Sequence, residues 1–275
     1  MKRTVLATAL MCTTAAVVLT GCGGKKDAAS SPAASAPAGA ATATTATTAT
    51  TTTAAKAAAG AGPLDGLTAQ QISDKTVADM NALTSVHVVG QEMDGDTPAH
   101  LDVTVATSGK CLATVGEGGG DMKVISTTEY TYMKGDSTFW KAQGKDGVAL
   151  GTALHGRWLK KPGKAASDPD LKEFCDLKTF MAGFTADNGA PLTKGAAVEL
   201  GGQRVIPLTQ HDSDGDLVVY VADTAKPYAV KFDEPGKDGA GTDGSGTITF
   251  SGFDKPLHVY APPPSQTVTE DALTV

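Results

Sequence analysis

Leu101-Asp102-Val103-Thr104-Val105 decides how this chain folds. Apolar and polar side chains alternate with period two, the pattern of a strand with one face buried and one face wet. Upstream, Val86 and Val88 keep the same period and predict a strand ending near Gln91, and Asp94-Gly95-Asp96 reads as the hairpin turn between the two. Downstream, Ser108-Gly109 turns the chain into a run from Leu112 to Val115, and Gly116 to Gly120 reads as a flexible connection. Met122 to Ile125, Tyr130 to Met133 and Thr138 to Lys141 predict three more short strands, with Lys134-Gly135-Asp136 as the turn between the last two. Runs joined by tight turns pair antiparallel, so the sheet is expected to be a meander.

Helical spacing appears on both sides of this block. From Leu67 to Leu83, Thr68 with Gln71 makes a capping box, and Ala69, Ile72, Thr76, Met80 and Leu83 follow on one face. Beyond a short extended piece, Arg157 to Lys160, Asp168-Pro169 predicts an N-cap and first helical turn. Leu171, Phe174, Leu177, Met181 and Phe184 then line one side of a helix, with Cys175 beside that face. After Asn188-Gly189 the strand period resumes. Strands are predicted at Ala197–Leu200, Arg204–Gln210, Leu217–Val221, Tyr228–Phe232, Thr247–Phe250 and Leu257–Tyr260. Strands segregated from two amphipathic helices predict an α+β fold, a long antiparallel sheet with helices on one face.

The charge balance removes some function classes. The chain has formal charge −7, and losing Lys2 and Arg3 with an N-terminal segment takes it to −9. That excludes the basic footprint that nucleic acid demands, and it argues against electrostatic docking to an anionic membrane. Only 5% of residues are aromatic, so the core must rely on Val, Leu, Ile and Ala. A chain of this size expects a monomeric domain with a sizeable core.

The N-terminus has its own logic. Lys2-Arg3 precedes an apolar run from Val5 to Leu19, too short and too rich in small residues for a stable span, and it reads as a secretory signal. Leu19-Thr20-Gly21-Cys22 resembles the lipobox of bacterial lipoproteins. The resemblance implies cleavage before Cys22, acylation of its thiol, and anchoring to the outer face of the cell membrane. An incidental Cys22 after an ordinary signal is the plainer alternative. From Gly23 to about Asp65 the chain is Ala, Thr, Ser, Gly and Pro with almost nothing apolar and large, and Ala40 to Ala55 holds only Ala and Thr. Such a segment buries too little to offset its ordering entropy, so it reads as a tether, bare or O-glycosylated. The expected organisation is therefore signal 1–21, tether 22–65, one domain 66–264 and a polar tail 265–275.

Of the four cysteines, Cys12 leaves with the signal. Cys111 and Cys175 remain in an exported domain, where a disulfide is the expected state and two buried thiols the alternative. A metal site is disfavoured because no His sits at ligand spacing from either. His87, His100, His155, His211 and His258 are scattered. Asp212-Ser213-Asp214-Gly215-Asp216 imitates a calcium loop, but Leu217 and Asp223 occupy the places where the motif needs Gly and Glu, so a hairpin turn is the better reading. Glu234 to Gly246 reads the same way. The sequence carries no G-x-S-x-G elbow, S-x-x-K, P-loop or dinucleotide fingerprint. No cofactor and no catalysis are expected.

Several stretches together resemble one family. Ser85-Val86-His87-Val88 after an amphipathic helix, the run Tyr130-Thr131-Tyr132-Met133-Lys134-Gly135-Asp136 with Phe139-Trp140, and the block Gly195 to Leu208 carry it. So do Tyr220-Val221-Ala222-Asp223, Lys226-Pro227-Tyr228 and Thr249-Phe250-Ser251-Gly252-Phe253. These are similar to actinobacterial lipoproteins of the mycobacterial LppX/LprG group, over residues 66–264. The resemblance implies a LolA-like fold, a half-open antiparallel β-barrel built from one large curved sheet with helices covering its concave face. It also implies non-catalytic binding or transport of a lipid or acylated ligand in an apolar cavity. By alternation the sheet lining is Leu101, Val103, Val105, Val219, Val221, Val230 and Phe232, and the helices offer Ile72, Met80, Leu83, Phe174 and Met181. An envelope scaffold with a filled core is the alternative, and a secreted hydrolase a further one.

Overall fold

The computed structural model describes residues 56–57, 60–94, 97–169, 171–185, 190–212, 215–234 and 245–273. The expected signal, Cys22 and almost all of the tether lie outside them, as do Asn188-Gly189 and most of the Glu234–Gly246 loop.

In chain order the elements are β1 (Lys56–Ala57), α1 (Ala69–Asn81), β2 (Ser85–Asp94), β3 (Thr97–Ala106), β4 (Cys111–Glu117), β5 (Gly120–Ser126) and β6 (Tyr130–Gly135). Two helices follow, α2 (Ser137–Ala142) and α3 (Gly144–Leu154), then β7 (Trp158–Pro162), α4 (Lys172–Cys175) and α5 (Leu177–Thr185). The second half holds β8 (Leu192–Lys194), β9 (Val198–Leu200), β10 (Gln203–Asp212), β11 (Gly215–Ala222), β12 (Ala229–Glu234), β13 (Gly246–Ser251) and β14 (Thr267–Thr269). All described strands join one sheet, thirteen of them in the order β1-β9-β10-β11-β12-β13-β2-β3-β4-β5-β6-β7-β14, with β8 pairing to β10 alone. The sheet is curved and unclosed, the α+β half-open architecture that the sequence predicts.

Alternation along each strand aligns into rows across the inner face. One row runs Val88–Val103–Ala113–Val124–Met133–Leu159 through paired positions of β2 to β7. Another runs Leu208–Val219–Phe232–Ile248–Gly90–Leu101–Val115–Met122 across eight strands of both halves. Helix α4 packs on β3 and β4, α1 on α5 and β8, and α2 on β5 and β6. The Cys111–Cys175 disulfide joins β4 to α4.

Helix α1 begins where the capping box predicts. The Thr68 hydroxyl accepts from the Gln71 N–H, and the Gln71 side chain accepts from the Thr68 N–H. Its buried stripe is Ile72, Thr76 and Met80.

Several local expectations are corrected. Thr138–Lys141 is helix rather than strand, part of α2, because the Asp136 carboxylate caps it by accepting from the Phe139 N–H. Close approach seals that choice: a Cβ on Gly120 would stand 2.4 Å from the Phe139 nitrogen. Helix α3 answers to no sequence expectation. Asp168 is not the N-cap of α4, which is Leu171, and its carboxylate takes the Lys161 ammonium at 2.9 Å. The predicted single helix is two, α4 and α5, broken at Asp176, whose carboxylate accepts from the Thr179 N–H and hydroxyl. Leu257–Tyr260 is irregular, flanked by Pro256 and Pro262, with Tyr260 80% exposed. Strand pairing is also found on both sides of residues 66–264. Lys56–Ala57 pairs with β9 and Leu64 is buried, while Thr267–Thr269 adds a parallel strand to β7 that buries Val268. The Asp212–Asp216 stretch is the β10–β11 hairpin, with Asp212 opposite Gly215.

Candidate functional site

Nine of the twelve apolar residues expected to line a cavity fall into two buried clusters. Leu83, Val103, Val105, Met80, Phe174, Met181 and Leu101 pack together in one cluster under α4 and α5, none more than 6% exposed. Ile72 and Val221 are fully buried in a second cluster with Leu64, Ile206 and Leu208. Val230 departs from its predicted place. The register shifts between Tyr220 and Val221, so Tyr220 faces Lys231 while Val221 faces Ala229. Val230 is the extra residue of a β-bulge, and Ala229 takes the buried place instead.

Val219 and Phe232 behave differently from the rest. They face each other across β11 and β12, belong to the inner row, and are only half-buried. Val219 packs against both clusters and so marks the seam between them. Phe184, near the end of α5, closes over this seam. Its ring meets Phe232 at 5.7 Å and Phe250 at 5.1 Å between centroids, and Phe180 at 5.2 Å. Four of the chain's seven phenylalanines therefore gather here, although the chain as a whole is poor in aromatics. Phe180 and Phe250 are buried, while Phe184 and Phe232 are only half-buried, so the two rings nearest Val219 are the ones that reach the surface of the group. The Thr185 hydroxyl donates to the Asn81 side-chain oxygen at 3.2 Å and ties the ends of α1 and α5 beside the seam. The sequence signal for this aromatic group was the Phe180/Phe184 spacing of four on a helix, which alternation in the strands does not reveal.

Polar chemistry lies elsewhere. Three of the five histidines contact a carboxylate: His87 with Asp102, His100 with Asp121 and His211 with Asp216. Ser251 also reaches His87 Nδ1 at 3.2 Å, which makes a Ser–His–Asp line across β13, β2 and β3. It lies on the outer face, and the acid is more exposed than the imidazole, 59% against 36%. A nucleophilic triad needs its acid buried so that the imidazolium is stabilised in low dielectric. This line is a set of solvated cross-strand contacts. Among the described residues no group of three or more His, Cys, Asp or Glu could hold a metal ion. No described helix is long and apolar enough to cross a membrane.

A buried carboxylate holds the segment just ahead of α1. Asp223 accepts from the Leu64 N–H at 2.9 Å and from Arg204 Nε, and Arg204 Nη2 reaches Asp65 at 2.8 Å. The Asp223 hydrogen bond raises the Arg204 pKa, and the Gly62 N–H, ahead of Arg204, lowers that of Asp65. Lys194 adds three bonds to the carbonyls of Leu64, Asp65 and Leu67. Gly62 must be glycine, since a Cβ there would fall 1.7 Å from the Asp223 carboxylate.

No family model and no curated protein matches the chain. Two structural neighbours are mycobacterial proteins. LprF from Mycobacterium bovis is 16% identical with a TM-score of 0.45, the match spanning 70% of this chain and 96% of that one. The Mycobacterium tuberculosis lipoprotein LppX is 13% identical with a TM-score of 0.41, spanning 70% and 98%. An uncharacterised conserved protein from Thermus thermophilus is 12% identical with a TM-score of 0.34, spanning 73% and 98%. LppX bears the name of the group that the sequence motifs resemble.

Proposed function

We propose that the chain is an exported lipoprotein, anchored to the outer face of the cell membrane through Cys22, that binds an acylated ligand without catalysis. The observation that carries the ligand reading is the half-buried apolar seam of Phe184, Val219 and Phe232 between two closed clusters. An acyl chain laid along it gains about 0.8 kcal/mol for each buried CH₂, and no bond need form or break. Entry requires only that the end of α5 swing aside. The lipobox carries the anchoring reading.

The test is uptake of a fluorescent fatty-acyl probe by the purified protein, with mass spectrometry of lipids extracted from it. Wild-type protein should bind the probe, and Val219→Glu, which places a charge in the seam, should fold and bind at least tenfold more weakly. A specific observation favours the scaffold alternative: the cluster under α4 is closed, and the disulfide holds it so. If wild-type protein neither binds the probe nor carries lipid, the scaffold reading replaces the carrier.

A further inference from the structure

The outer face of β5, β6 and β7 is unlike the rest of this acidic chain. Lys123 stands directly opposite Lys134 across β5 and β6. Two like charges in register on a sheet repel and cost stability. Lys160 follows on β7, opposite Tyr132, with its ammonium 3.7 Å from the centre of the Tyr130 ring. The Lys134 ammonium lies 5.9 Å from the Trp158 ring. Among the described residues, no carboxylate forms an ion pair with any of these three lysines. The acids nearby are otherwise placed: Asp121 is against His100, Asp136 caps α2, and Glu129 sits in the turn before Tyr130. Cations that meet aromatic rings rather than carboxylates keep their full charge available to a further anion. Screening confines the acidic balance of the whole molecule to within about 8 Å of its own carboxylates, so a strip of this kind presents positive potential locally.

From this strip we infer a docking surface for an anionic phospholipid membrane. Lys, Trp and Tyr are the side chains that suit the headgroup layer, the ammonium meeting phosphate and the ring settling at the boundary of the acyl chains. Three adjacent strands carry all of them on one outward side of the sheet, which fits an extended surface better than a groove-bound peptide. The inference corrects what net charge alone suggests about electrostatic docking, and it does not depend on the acyl-binding reading. It assigns the outer face of β5–β7 to the membrane, leaving the inner face with its seam turned away from it.

The experiment uses the chain from residue 22 onward carrying Cys22→Ala, so that neither the apolar N-terminal segment nor a lipid anchor contributes. Co-sedimentation is measured with phosphatidylcholine vesicles and with vesicles containing phosphatidylglycerol, at low and high salt. Binding is expected only to the anionic vesicles, and it should fall steeply with salt. Each lysine near a charged surface contributes about fivefold, so Lys123→Gln, Lys134→Gln and Lys160→Gln together should weaken it on the order of 100-fold. Uptake of the acyl probe should be unchanged in that variant. Trp158→Ala, with all three charges kept, should weaken vesicle binding severalfold and serves as the second variant. The inference is overturned if wild-type binding is absent, ignores lipid charge, or survives both sets of substitutions. Equal binding to a soluble polyanion with no vesicles would also overturn it, since the surface would then serve a different partner.

Discussion

Arg204 donates from Nε to Asp223, a carboxylate on the far side of the β10–β11 pair whose side chain is wholly out of solvent. The same carboxylate holds the Leu64 N–H, so one buried acid ties the entry of the chain to the sheet. Without Asp223 the buried Leu64 N–H has lost its acceptor, while Arg204 keeps Asp65. Asp223→Ala should therefore cost about 1–3 kcal/mol in urea unfolding, and the Leu64 amide should lose its protection from hydrogen exchange. A loss under about 1 kcal/mol, with the amide still protected, would show that the clamp is incidental.

The Cys111–Cys175 bond closes a sequence separation of 64. In the chain-entropy model a loop of that length stabilises by about 4 kcal/mol. Reductant should lower the urea midpoint accordingly, and α4 should be the first segment to lose exchange protection. Thiol labelling of native, unreduced protein is expected to find neither residue. Quantitative labelling of both would refute the bond.

Val103 lies opposite Val88 and Ala113 on the inner face, with no exposure. Val103→Phe should overpack it and cost about 1–3 kcal/mol. Phe184→Ala, at the half-buried seam, should cost less than the roughly 3–5 kcal/mol of a core phenylalanine and instead alter acyl-probe uptake. Comparing the two in unfolding and in probe binding locates the ligand path. If Val103→Phe is neutral and Phe184→Ala leaves uptake unchanged, the path has been placed on the wrong part of the face.

Acid should unfold this protein by a definite route. The Thr84 N–H holds the Asp254 pKa low, with help from the Thr84 hydroxyl and the Tyr228 hydroxyl. The Thr179 hydroxyl does the same for Asp176, and the Phe139 N–H for Asp136. A carboxylate whose folded pKa lies below its unfolded value stabilises fully above the unfolded value, about 4, and loses that contribution as pH falls through the folded one. The urea midpoint should be flat from about pH 7 to 5 and then drop towards about pH 3. Asp254→Asn should start lower and drop less. Parallel curves for the two proteins would exclude Asp254 from the acid transition.

Much of the sheet was legible because period two survives wherever one face is buried, as from Val86 through Val105. The capping box at Thr68 was equally plain. The failures have separate causes. Thr138-Phe139-Trp140 has the composition of a strand, and only the Asp136 cap and the close approach at Gly120 make it helix. Gly144–Leu154 is glycine-punctuated, and its helix is held by Leu150 and Leu154 packing near Leu159 and Val268, partners that no local pattern announces. Val230 obeyed alternation in the sequence, but a bulge shifts the register beneath it. Asp223 was read as part of a soft motif, and its buried role depends on Leu64 and Arg204, far away along the chain. The seam was half visible: Val219 and Phe232 were on the inner face, while Phe184 needed the break at Asp176 to aim α5.

Strand β1 is two residues long, Lys56 against Glu199 and Ala57 against Val198, and it is the first described segment of the chain to join the sheet. Under the proposed anchoring through Cys22, any drag on the domain arrives there as mechanical load. Two rungs peel apart at small force, lengthening the leash without touching the fold. The load then reaches Leu64 and the Asp223–Arg204 clamp, where many bonds must break together. The junction thus behaves as a weak link in series with a strong one, a shock absorber that spares the seam above it.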